Sequence, residues 1–78
     1  MNDVIQIAFT AGSRDEAGKI ARHLVENRLA ACVQIIPSIT SVYRWQGEIE
    51  HGEEIHCTIK TVRSHYESVE AAIRRLHS

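Results

Sequence analysis

The run from Cys32 to Trp45 leaves this chain few choices. Val33, Ile35, Ile36, Ile39, Thr40, Val42, Tyr43 and Trp45 crowd it, and β-branched and aromatic side chains fit a pleated, half-buried surface better than a helix. The stretch predicts one long strand. Within it stands Pro37, the only proline of the chain. Proline donates no ladder hydrogen bond, so this strand lies at a sheet edge or is interrupted by a bulge at Pro37-Ser38. Gln46-Gly47 supplies the glycine of a tight reversal, and the apolar run Ile55 to Val62 returns antiparallel. The intervening Gln46 to Glu54, QGEIEHGEE, carries four carboxylates and two glycines and reads as a solvated hairpin tip.

The flanking segments complete an α+β pattern. Val4 to Thr10 places Ile5, Ile7 and Phe9 on one face, the period of a strand. Ser13 followed by Glu16 is a capping box, and Ala17, Ile20, Ala21, Leu24 and Val25 form one helical stripe that Asn27 ends. In the returning strand Ile55, Cys57, Ile59 and Thr61 face a core, while His56, Thr58, Lys60 and Val62 form a half-polar face. Ser64 with Glu67 repeats the capping-box pattern ahead of a second stripe, Val69, Ala72, Ile73 and Leu76. The order is β-α-β-β-α within a single domain spanning residues 1–78. This order is expected to build an antiparallel sheet with two helices on one face, and it falls one strand short of the ferredoxin-like β-α-β-β-α(-β) pattern, whose final strand is expected to be missing from this chain.

Size and charge narrow the function. A domain of 78 residues buries only about 60% of its unfolded surface, so oligomerisation is an expected source of stability. Nine Lys and Arg against ten Asp and Glu, with no basic run, do not fit nucleic-acid binding. The acidic start Met1-Asn2-Asp3 is unlike a signal peptide, and no apolar run reaches the roughly 18–20 residues of a membrane span, so a cytoplasmic protein is expected. Cys32 and Cys57 lie outside any C-x-x-C and are expected as free thiols.

The stretch AACVQIIPSITSVYRWQGEIE, with Asp15, Glu16 and Ala17 opening the first helix and Ile59-Lys60-Thr61 ahead of the second, resembles the signature of the CutA family of divalent-cation tolerance proteins. The resemblance covers nearly the whole chain. It implies a ferredoxin-like subunit in a cytoplasmic homotrimer, linked to copper and other divalent metals and similar in architecture to PII signalling proteins. Family members continue beyond this point with a Pro-Tyr-Glu-like turn, a last core strand and a short helix. The chain therefore resembles a truncated member or the ordered part of a longer protein, and a polypeptide ending at Ser78 is not expected to be independently stable: either further chain or a neighbour's strand is expected beside Val4 to Thr10.

Candidate ligands are few. The five histidines (His23, His51, His56, His65, His77) and two cysteines match no zinc or EF-hand spacing. Cys57 is expected in the core. Cys32 is the family cysteine by resemblance, and on its residue type is either a metal ligand or a small buried hydrophobe. His77 matches the family histidine associated with copper, and by position alone is a cation favoured at a helix C-terminus. Phe9 and Leu76 stand where some relatives carry a further cysteine and histidine. No G-x-S-x-G or glycine-rich phosphate loop is present, and Ser41, His23 and Asp15 have no triad spacing, so no catalytic residue is expected. Tyr43 and Trp45 line either a ligand cleft between subunits or an interface. Lys60 interrupts an apolar strand, and an inward lysine needs a carboxylate or an anionic ligand. The leading expectation is a non-enzymatic homotrimer in divalent-metal, copper included, tolerance or response. The alternative is a PII-like module binding a small anion between subunits.

Overall fold

The computed structural model describes residues 3–77. Met1, Asn2 and Ser78, on which expectations about the two chain ends rest, lie outside the described residues. Strand β1 (Val4–Ala11) leads into helix α1 (Arg14–Glu26), followed by β2 (Cys32–Trp45), β3 (Glu48–Val62), a 3-10 turn over Arg63–His65 and helix α2 (Tyr66–Leu76). The sheet order is β1-β3-β2 with both pairings antiparallel. The long strand is therefore an edge strand and also bulged, its register shifting between Ile36 and Ile39 around Pro37. Ser38 absorbs the irregularity at φ 65°.

Two expectations are corrected. Strand β3 starts at Glu48 rather than Ile55, so QGEIEHGEE is not a loop. Gln46 (φ 50°) and Gly47 (φ 82°) alone make the turn, and two consecutive positive φ angles are what a twist-matched two-residue hairpin requires. That turn pairs Trp45 directly with Glu48, and the ladder then runs without interruption to Ile39 opposite Glu54. Glu48, Glu50 and Glu53 are exposed on this strand, so their polarity does not oppose pairing. The second correction concerns Ser64 and Glu67, which form no capping box. The Arg63 amide donates to the Asp3 carbonyl at 2.8 Å, extending the ladder past Val62. Helix α2 then begins only at Tyr66, with His65 at its N-cap and no side-chain cap.

Helix α1 keeps its expected start. The Glu16 amide donates to Ser13 Oγ at 3.1 Å, and Glu16 Oε1 accepts the Gly12 amide at 3.1 Å, one residue upstream of the cap. At its far end Asn27 is the C-cap. The Leu29 amide reaches the Leu24 carbonyl and the Arg28 amide the Val25 carbonyl. This pair of bonds is the Schellman arrangement, which puts the residue after the cap in the left-handed region. Here that residue is Arg28, at φ 58°.

Strand alternation gives β3 two faces. Its odd positions meet the helices: Cys57, Ile59 and Thr61 are buried, and Ile59 joins Ile20, Leu24, Val69 and Ala72 in one core flanked by Ile7, Phe9 and Val33. Each fully buried aliphatic side chain contributes about 1.5–3 kcal/mol relative to exposure. Val25 and Leu76, assigned to the stripes by periodicity, stay 45% and 36% exposed because neither turns fully towards the sheet. The helices cover only one end of the strand. Ile49 shares the helix-side face yet is 57% exposed, on a two-stranded arm that stretches the molecule to 45 Å. The even positions, with Cys32, Gln34 and Ile36 of β2 and Val4, Gln6 and Ala8 of β1, form an open face.

Candidate functional site

The five residues singled out by sequence fall in three places. Cys32 and Lys60 come together: they are directly opposite across β2 and β3 on the open face, both half-buried. Lys60 is thus not aimed into the core, and no carboxylate pairs with it among the described residues. Cys32 is half-covered by the sheet rather than sealed within it, while Cys57 is fully buried. Burial pushes the Cys57 thiol above its ordinary value.

His77 lies elsewhere. Its Nε2 is 2.8 Å from the Thr10 carbonyl, which can only accept, so the ring donates there. Glu16 Oε1 stands 3.7 Å from the same nitrogen. The contact fastens the end of α2 to the end of β1. Thr10 pairs with His56 and Cys32 with Lys60, so these sites are four residues apart along β3, about 13 Å, and on opposite edge strands. They do not form one metal site within a chain. Among the described residues no three His, Cys, Asp or Glu side chains gather as ligands, and a stable site wants three or four.

Tyr43 and Trp45 occupy the arm. Trp45 pairs with Glu48, twelve positions from Lys60 along β3, or about 40 Å. The Tyr43 ring lies over Gly52, whose position would place a Cβ 3.4 Å from the ring. Both aromatics are largely exposed, at 46% and 61%.

Sequence reasoning missed Glu54, Ser41 and Thr10. The hydroxyls of Ser41 and Thr10 donate to the Glu54 carboxylate and hold it below its ordinary value of 4.5. This carboxylate ties both edge strands to the central one on the open face. The signal was present as alternation, since Glu54 shares the parity of His56 and Lys60, but was hidden once 46–54 was taken for a loop. Glu16 was legible as a cap, not as the neighbour of His77.

An antiparallel β1-β3-β2 sheet with two helices on one face defines a ferredoxin-like α+β protein. Within that class the comparisons are specific. Residues 5–78 match the family model described as CutA1 divalent ion tolerance protein. The chain is 42% identical over 77 residues to the divalent-cation tolerance protein CutA of Thermus thermophilus, covering 99% of this chain and 73% of that one. It is 42% identical over 74 residues to mouse Protein CutA, covering 94% of this chain but only 42% of the longer relative. The crystal structure of CutA1 from the psychrotrophic bacterium Shewanella sp. SIB1 superposes with a TM-score of 0.92 at 34% identity, covering 97% of this chain and 71% of that one. The chain belongs to the CutA1 divalent ion tolerance protein family.

Proposed function

We propose that this chain is a non-enzymatic, cytoplasmic, homotrimeric protein of divalent-metal tolerance, copper included, in which any metal is held weakly or at a subunit boundary. The observation that carries the reading is the open face of the sheet. Ile36 is 49% exposed and Val4 77%, and among the described residues both β1 and β2 are edge strands. Exposed sheet edges and apolar strand faces are templates for association. A small domain gains the stability it lacks by covering them with copies of itself. The names of the relatives, divalent-cation tolerance protein and CutA, support the metal role. The distance between Cys32 and His77 supports ligands drawn from more than one chain.

Two measurements test it. Light scattering of the purified chain should give a mass near three times 8.8 kDa; an 8.8 kDa monomer at micromolar concentration would sink the oligomer. Calorimetry with copper should show weak binding or fewer than one ion per chain, reduced by Cys32→Ser or His77→Ala. One tight ion per chain, unaffected by both substitutions, would show the site to be misplaced.

The alternative, a PII-like module taking a small anion between subunits, is favoured by one feature: Lys60 has no carboxylate partner among the described residues. Thermal shifts with nucleotides or dicarboxylates that vanish in Lys60→Gln would support it, and their absence would dismiss it.

A further inference from the structure

Strand β2 begins one step too late to cover the end of β3. Its first pairing is Cys32 with Lys60, so Thr61 and Val62 have β1 on one side and a notch on the other. The notch is a cavity of about 460 Å³, within the range of small-molecule sites. Val25, Ala30, Ala31, Val62 and Val4 make its apolar wall, and Arg28, Lys60 and His65 also line it. No acidic residue lines it among the described residues.

The backbone adds a donor. In an antiparallel ladder successive residues direct their amide and carbonyl to opposite neighbours. Lys60 faces β2, since its carbonyl accepts from Ala31, and Arg63 faces β1, since its amide donates to Asp3. Val62 therefore directs its amide towards the notch, where no strand among the described residues pairs it. Arg28, one of the cations, is the residue held at φ 58°.

We infer that this notch binds a small carboxylate with a short apolar body, the carboxylate lying between Arg28, Lys60 and the Val62 amide and the body lying on the valine and alanine wall. Charge complementarity selects the anion, since Arg28 and Lys60 both line the notch, the Val62 amide is directed towards it, and no acidic residue lines it among the described residues. The apolar wall selects the body over a bare anion. His65 stands at the lining as a further ring donor. The site is complete within one chain and needs no subunit boundary; it shares Lys60 with the between-subunit anion, and Arg28→Gly separates the two.

The test is a titration of the purified chain with hexanoate, followed by amide chemical shifts, with acetate and hexanol as separate controls. Saturable shifts at Ala30, Ala31 and Val62 are expected with hexanoate, with at least tenfold weaker responses to acetate and hexanol. Arg28→Gly and Lys60→Gln should each raise the hexanoate Kd at least fivefold. Arg28→Gly removes the guanidinium while suiting the left-handed backbone, so it remains folded and decides the matter if Lys60→Gln does not fold. Shifts centred away from the notch, hexanol binding as well as hexanoate, or an unchanged Kd in Arg28→Gly would overturn the assignment.

Discussion

Two isoleucines on the same face of β3 should behave differently when cut back to alanine. Ile59 pairs with Ile7 and Val33, lies under Ile20, Leu24 and Val69, and is 0% exposed. Ile59→Ala removes buried methyl groups and leaves a cavity, at a cost of about 3 kcal/mol. Against a total of about 5 kcal/mol for a domain of this size, that is most of the stability. The melting temperature should fall by roughly 12–24 °C. Ile49 lies ten positions away, beyond the reach of either helix, and is 57% exposed. Its truncation should cost under about 0.5 kcal/mol within the chain. If the arm packs on a sister copy, Ile49→Ala weakens assembly, and that loss must scale with protein concentration. Thermal melts over a hundredfold concentration range separate the two effects. An Ile59→Ala variant within 1 kcal/mol of the parent, or a large concentration-independent loss from Ile49→Ala, would refute this account of where the core ends.

Three further outcomes are expected. Thr61 is 4% exposed and its hydroxyl donates to the Leu29 carbonyl at 2.6 Å, so Thr61→Val should cost about 1–3 kcal/mol in urea unfolding by orphaning that carbonyl. Glu54 should titrate below its ordinary value of 4.5 in a carboxyl-resolved NMR experiment, and Ser41→Ala with Thr10→Val should move it up towards 4.5. Because its folded value is depressed, its stabilising contribution is present above the unfolded value of about 4.5 and is lost as pH falls through the folded one. In native protein an aromatic disulfide reagent should titrate Cys32 quickly and reach Cys57 only on unfolding, since Cys57 is sealed and its thiol value is raised; equal rates would contradict the burial.

Much of the fold was legible because local and global signals agree. The β-branched run of β2 and the period of α1 each point to one structure. Pro37 located the register shift because a missing amide has few places in a sheet. Composition misled between residues 48 and 54. Four carboxylates look like a loop, but an exposed two-stranded arm has two solvated faces and needs no apolar alternation, so its strand is recorded only in the two turn residues. The Ser64–Glu67 pair failed for a related reason. Its motif is local, whereas the Asp3 carbonyl that captures the Arg63 amide is sixty residues away in sequence.

Lys60 shows where sequence reading runs out. A lysine in an apolar strand is visibly out of place, and parity puts it beside Cys32. What converges on it is set by register. Had β2 begun two residues earlier, Ala30 would lie opposite Val62, the notch would be filled by a strand, and Arg28 would be drawn into the ladder's approach. Instead Thr61 holds the Leu29 carbonyl and the chain crosses from α1 outside the sheet. Arg28 then takes up a left-handed turn that glycine would adopt without cost. Neither the hydroxyl bond nor the late start of β2 has a periodic signature. The three cationic or ring donors of the notch come from the end of a helix, the end of a strand and a 3-10 turn, elements that sequence spacing treats as unrelated.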